Sequence, residues 1–203
     1  MAIHIHKGDI PADLTFEGDI AIDTEAMGLL NNRDRLCVVQ LSDGKGDEHL
    51  VTFERGQYDA PNLKALLADQ TRVKLFHFAR FDVAILRAYL GVLVQNIYCT
   101  KIASKLARTY TDRHGYKEIC RELLGVEISK QQQSSDWGAP ELTPEQQEYA
   151  ATDVRHLHDL REKLNAMLQR EMRMGLAQAS MNFIPARAML DLQGWNDVDI
   201  FSH

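Results

Sequence analysis

The first hundred residues carry their apolar positions in short blocks, which is the pattern of strands. DIAIDTE, from Asp19 to Glu25, alternates and then turns polar. RLCVVQLS, from Arg35 to Ser42, is apolar and β-branched. The turn Asp43-Gly44-Lys45-Gly46 follows it, and then HLVTFE from His49 to Glu54. Strands linked by turns of this kind predict an antiparallel meander. PNLKALLADQ, from Pro61, places Leu63, Leu66 and Leu67 at helical spacing behind a proline suited to the first helical position. VKLFHF, from Val73 to Phe78, and NIYCT, from Asn96 to Thr100, are short buried strands. Between them FDVAILRAYLG is a helix that stops at Gly91. The second half is helical: KIASKLARTY, YKEICRELLG, and a long helix from about Pro144 past Leu164. Thr143-Pro144-Glu145-Gln146 has the composition of a capping box at its start. A polar loop, SKQQQSSDWGAPELT, separates these helices. Strands first and helices around them predict an α/β fold with a mixed sheet flanked by helices.

Composition narrows the classes. The chain has 203 residues, which suits one domain over 1–203 with a continuous core. Hydrophobic residues at 45% and charged residues at 26% are ordinary for a globular protein. No apolar run is long enough for a membrane span, and the N-terminus lacks the pattern of a secretion signal. The three cysteines sit far apart without CxxC spacing, so neither a disulfide framework nor a zinc site is expected, and a reducing, cytoplasmic compartment fits. The formal charge of −6 argues against gripping long nucleic acid by phosphate neutralisation. A local basic stretch from Lys101 to Lys130 runs against that trend: Lys101, Lys105, Arg108, Arg113, Lys117, Arg121 and Lys130 against four acids, seven minus four or +3. It reads either as a solvated helix face or as an anion-binding patch.

The candidate chemistry lies in carboxylates. Asp23 and Glu25 are i and i+2 on a strand and so share a face. Enclosed together they would repel and take up protons unless a cation sat between them; the alternative is a polar strand end. Asp82 stands at a strand-to-helix junction, where an acid also stabilises a helix start. Tyr149 and Asp153, i and i+4 in EYAATD, share a helix face. Four acids in this order ask for a divalent metal with oxygen ligands, Mg²⁺ or Mn²⁺.

AIDTE, HFARFD and YAATD, in this order over about 130 residues, resemble the three motifs of DEDDy-type 3′→5′ exonucleases of the RNase D superfamily. HKGDIPADL, RDRLCVVQLS, CTKIASKLARTYTDRHG, ISKQQQSSDW and LDLQGWNDVDIFSH further resemble the short RNase D-like enzymes of the nanoRNase C family, over nearly the whole chain. The resemblance implies a ribonuclease-H-like fold and hydrolysis of dinucleotides and very short RNAs with two divalent cations. A broader exonuclease acting on longer RNA or DNA is the alternative. It implies that Asp23 bridges both ions, that Glu25 and Asp153 complete one site, that Asp82 serves the other, and that Tyr149 orients the attacking water. It points to Met27, Gly28 and Leu29 for the terminal nucleotide and to His77 for a substrate contact. Selectivity for a dinucleotide requires a cap on its 5′ phosphate, for which Arg108, Arg113, Lys130, Gln133, Ser134 and Ser135 are the candidates. It also implies that the apolar ending, about 180–203, joins subunits in a homo-oligomeric ring, an octamer. Too few residues follow Asp153 for the additional helical RNA-binding domains of RNase D itself.

Overall fold

A computed structural model describes residues 2–129 and 131–203. A six-stranded sheet runs in the order β1-β4-β3-β2-β5-β6, formed by β1 (Ile3–Lys7), β2 (Ile20–Ala26), β3 (Leu36–Ser42), β4 (Glu48–Thr52), β5 (Lys74–Phe76) and β6 (Ile97–Cys99). β2, β3 and β4 form the expected antiparallel meander, while β5 and β6 continue from β2 in parallel. β1 is a parallel edge strand on β4 that the strand reading passed over. Its IHIHK alternates with period two, but isoleucine and histidine share the work and no turn signal flags it.

β3 is buried along its whole length, because helices cover both faces of the sheet. On one face α1 (Pro61–Ala68) and α2 (Ala79–Leu90) contribute Leu63, Leu67, Val83 and Leu86 to the core that holds Ile20, Ile22, Val39 and Leu41. On the other, α5 (Pro144–Arg155) lies across β2, β3 and β4, where Val38, Leu50, Trp137 and Ala150 form a smaller core. α3 (Thr100–Ala107), α4 (Tyr116–Leu124), α6 (Leu157–Arg170), α7 (Met174–Asn182) and α8 (Ile184–Leu192) complete the order. The single long helix expected from Pro144 is two helices, since the backbone at His156 (φ −107°, ψ 5°) leaves the helical path. No proline or glycine causes the break. Side chains on either side are tied to the sheet instead: Arg155 pairs with the buried Glu48 of β4 at 2.8 Å, and His158 Nε2 lies 3.0 Å from the Asp19 carbonyl.

The expected helix stops and starts are present. Thr143 Oγ1 accepts from the Gln146 amide at 3.2 Å while Gln146 Oε1 accepts from the Thr143 amide at 2.9 Å, a complete capping box for α5. Gly91, at φ 71°, ends α2. The chain's end divides. α8 folds back on α2 through Ile184 and Ala188, and Asp191 accepts hydrogen bonds from both Arg80 and Arg187. Beyond it Trp195, Val198, Ile200 and Phe201 remain exposed. Among the described residues no helix is long and apolar enough to cross a membrane.

Candidate active site

The site forms where β2, α2 and α5 converge. The pleat of β2 sends Asp23 and Glu25 to the face that α5 covers, and α5 brings Asp153 onto them. One carboxylate oxygen from each of the three lies within 4.8 Å of the others. Thr24 points to the opposite face, where its hydroxyl donates to Asp82 Oδ1 at 2.6 Å; Asp82 is in the first turn of α2 and buried. A strand residue thus ties the fourth acid to the strand that carries the first two.

Enclosure raises the proton affinity of all four. Burial is the main cause for Asp23, followed by repulsion from Asp82, Asp153 and Glu25. Burial and then Asp153 and Asp82 raise Glu25. Burial pushes Asp82 up to about 7 against the opposing Thr24 hydrogen bond, and Asp153 up to about 7 against the Tyr149 phenol. The Tyr149 hydroxyl is itself held well above the ordinary phenol range, first by burial and then by Asp153, Glu25 and Asp23. Among the described residues no lysine or arginine forms an ion pair with any of the four acids. A compact set of enclosed carboxylates without cationic partners fits divalent cations with a preference for oxygen ligands.

A cavity of about 700 Å³ opens over these acids. That volume is in the range of small-ligand sites, roughly 300–1,000 Å³. Met27, Gly28, Leu29 and His77 line it, and so do Gln133, Ser134 and Ser135 from the polar loop. Met27 and Leu29 are half or more exposed, so neither belongs to the core. His77 Nδ1 sits 2.9 Å from Thr100 Oγ1 and its ring lies against Tyr116.

Other expectations are corrected. Arg108 is fully buried and bonds Ser104 Oγ, the Arg113 carbonyl and Glu122, so its guanidinium is spent joining α3 to α4 and never reaches the cavity. Arg113 is exposed and outside the cavity wall; what it contributes is the carbonyl that receives Arg108. Lys130 lies outside the described residues. Gly28 does line the cavity, and a Cβ there would also run into the Asp34 carboxylate, which accepts from the Leu30 amide at 3.0 Å. Phe78, Lys101, Tyr116 and Lys117 also form the wall and were missed as site residues. The basic stretch signalled the two lysines; nothing in residue type signalled Phe78.

Residues 9–169 match the model of the 3′-5′ exonuclease family. The chain belongs to that family. Among curated 3′-5′ exonuclease relatives, ribonuclease D of Granulibacter bethesdensis is 33% identical over 162 residues, covering 80% of this chain and 40% of that protein. The chain spans about two-fifths of the length of the ribonuclease D proteins it matches. Two solved structures are similar end to end. Brucella melitensis NrnC bound to pGG is 52% identical with a TM-score of 0.96, over 100% of this chain and 99% of that one. The same nuclease with bound Mg²⁺ is 51% identical with a TM-score of 0.96, over the whole of both chains. The fold is therefore the ribonuclease-H-like exonuclease fold, and a divalent metal agrees with the donor set of Asp23, Glu25 and Asp153.

Proposed function

We propose that this chain is a metal-dependent 3′→5′ exoribonuclease that hydrolyses dinucleotides and very short RNAs to nucleoside monophosphates. The observation that carries the reading is the set of enclosed carboxylates, without ion-pair partners among the described residues, at the floor of a cavity sized for a small ligand. The end-to-end likeness to a nuclease whose structure holds pGG supports the short substrate.

Asp23, Glu25 and Asp153 would hold one divalent cation, and Asp82 with Asp23 a second. When bound, such ions supply positive charge at the reacting phosphate and lower the pKa of the attacking water. The protein's own groups do the placing. Burial and the neighbouring acids hold the Tyr149 phenol above its ordinary range, which favours a hydrogen-bonding guide for the water over a base. Hydrolysis joins the water oxygen to phosphorus, breaks the bond from phosphorus to the 3′ oxygen of the preceding nucleotide, and leaves a proton on that oxygen. Met27, Gly28 and Leu29 sit beside the acids, where the 3′-terminal nucleotide must lie. Gln133, Ser134 and Ser135 offer neutral hydrogen bonds farther along the wall for the 5′ phosphate. A cap of this kind needs few cations, which reconciles a net charge of −6 with an anionic substrate.

The exposed apolar ending supports assembly into a homo-oligomer, a ring of eight copies by likeness to the nanoRNase C family. Replacing Asp23 tests the site. Asp23→Ala is expected to abolish Mg²⁺- or Mn²⁺-dependent hydrolysis of pGG while circular dichroism stays native. Retained hydrolysis would refute the assignment.

A further inference from the structure

Phe78 breaks two local rules. Its backbone is left-handed, at φ 71° and ψ 43°, a region that bulky side chains avoid. It also stands at the N-cap of α2, where its side chain supplies no hydrogen bond and where serine, aspartate, asparagine or glycine is preferred. Glycine would satisfy the backbone without strain. Core packing does not repay the departure, because the side chain is 45% exposed. Strained backbone that is not repaid locally is concentrated at functional sites.

The ring's surroundings say what it serves. Phe78 borders the carboxylate cavity and also a neighbouring pocket of about 220 Å³, walled by Lys101, Lys105, Phe183, Ile184 and Arg187. It is the partition between them. The Lys101 ammonium lies 4.2 Å from the ring centroid, and no acid among the described residues forms an ion pair with it. A half-exposed aromatic ring with an ammonium over one face, on the rim of a carboxylate site, suits a ligand with a flat π-face and an adjacent anion. A nucleotide has both. Base stacking on aromatic side chains is tolerant of sequence, as an enzyme for short RNAs of any composition requires.

We infer that Phe78 is a stacking platform for a base of the bound substrate and that Lys101 contacts the phosphate joined to it. The inference rests on the proposed function for the identity of the ligand. The strain makes a discriminating test available. Phe78→Gly relieves the backbone, so its melting temperature should equal or exceed the parent's, yet KM for pGG should rise about tenfold, the lower part of the range for losing one stacked base. Lys101→Gln should raise KM and flatten its dependence on salt. Phe78→Trp should keep the parent KM, and rapid mixing with pGG should quench more indole fluorescence than in the parent, whose own Trp137 lines the cavity. A parent-like KM in Phe78→Gly, a fall in its melting temperature, or a quench no larger than the parent's would overturn the platform. The quench reports binding alone. An enzyme that binds pGG on the indole without hydrolysing it would sink the proposed function and leave the platform standing.

Discussion

At the scale of single residues the site is a problem of unpaid charge. Four carboxylates share an enclosed space, none of them in an ion pair with a lysine or arginine among the described residues, and each holds its proton more tightly than a free acid does. The sign follows directly. Unfolded carboxyls titrate near 4, whereas burial pushes Asp82 and Asp153 up to about 7 in the fold. Below pH 4 both states are protonated and nothing is lost; between about 4 and 7 the folded state gives up stability as pH rises, and above 7 the penalty stays. Metal-free protein should therefore melt at a higher temperature at pH 5 than at pH 8, with the gain from added Mg²⁺ larger at pH 8. A Mg²⁺ effect equal at both pH values would contradict this account. By the same reasoning Asp23→Ala should raise the melting temperature of the metal-free protein at pH 8, because removing one of the crowded charges relieves the other three. That distinguishes loss of function from loss of fold.

At the scale of elements, α5 is the part that assembles the site, since it delivers both Tyr149 and Asp153 to β2. Its capping box sets where it begins. Thr143→Ala should cost about 1 kcal/mol, read as a fall of about 2–4 °C in melting temperature for a chain of this size; an unchanged melting temperature would show that the cap is idle. That box was legible in four consecutive residues, and so was the period of two that puts Asp23 and Glu25 on one face. What escaped reading depended on contacts between distant segments. The break at His156 lies between Arg155 and His158, which reach back to β4 and the start of β2, a hundred or more residues away. Arg108 has the residue type of a phosphate ligand, but Glu122 and Ser104 claim it. At Gly28 a Cβ is also barred by Asp34, six residues on. Phe78 carries a torsion that no residue type announces.

At the scale of the whole molecule, two features remain turned outward: the apolar ending around Trp195 and Phe201, and the cavity over the acids. The ending is held by backbone contacts to Arg80 and Arg187, at 2.7 Å from Arg80 to the Asn196 carbonyl and 3.2 Å from Arg187 to the Val198 carbonyl, and by the Phe201 ring against Phe183, while Trp195, Val198, Ile200 and Phe201 stay exposed. In sedimentation velocity the full chain should run as a large assembly, and a chain cut after Gly194 as a smaller species with native circular dichroism. A full chain that sediments as a monomer at micromolar concentration would remove the oligomer from the account. The cavity sets the central claim, because about 700 Å³ is room for a short ligand and the net charge gives long RNA little to hold. The decisive measurement is kcat/KM for pGG against a single-stranded RNA 20-mer, in one buffer with Mg²⁺. The account predicts much faster turnover of pGG; equal or faster hydrolysis of the 20-mer would contradict it.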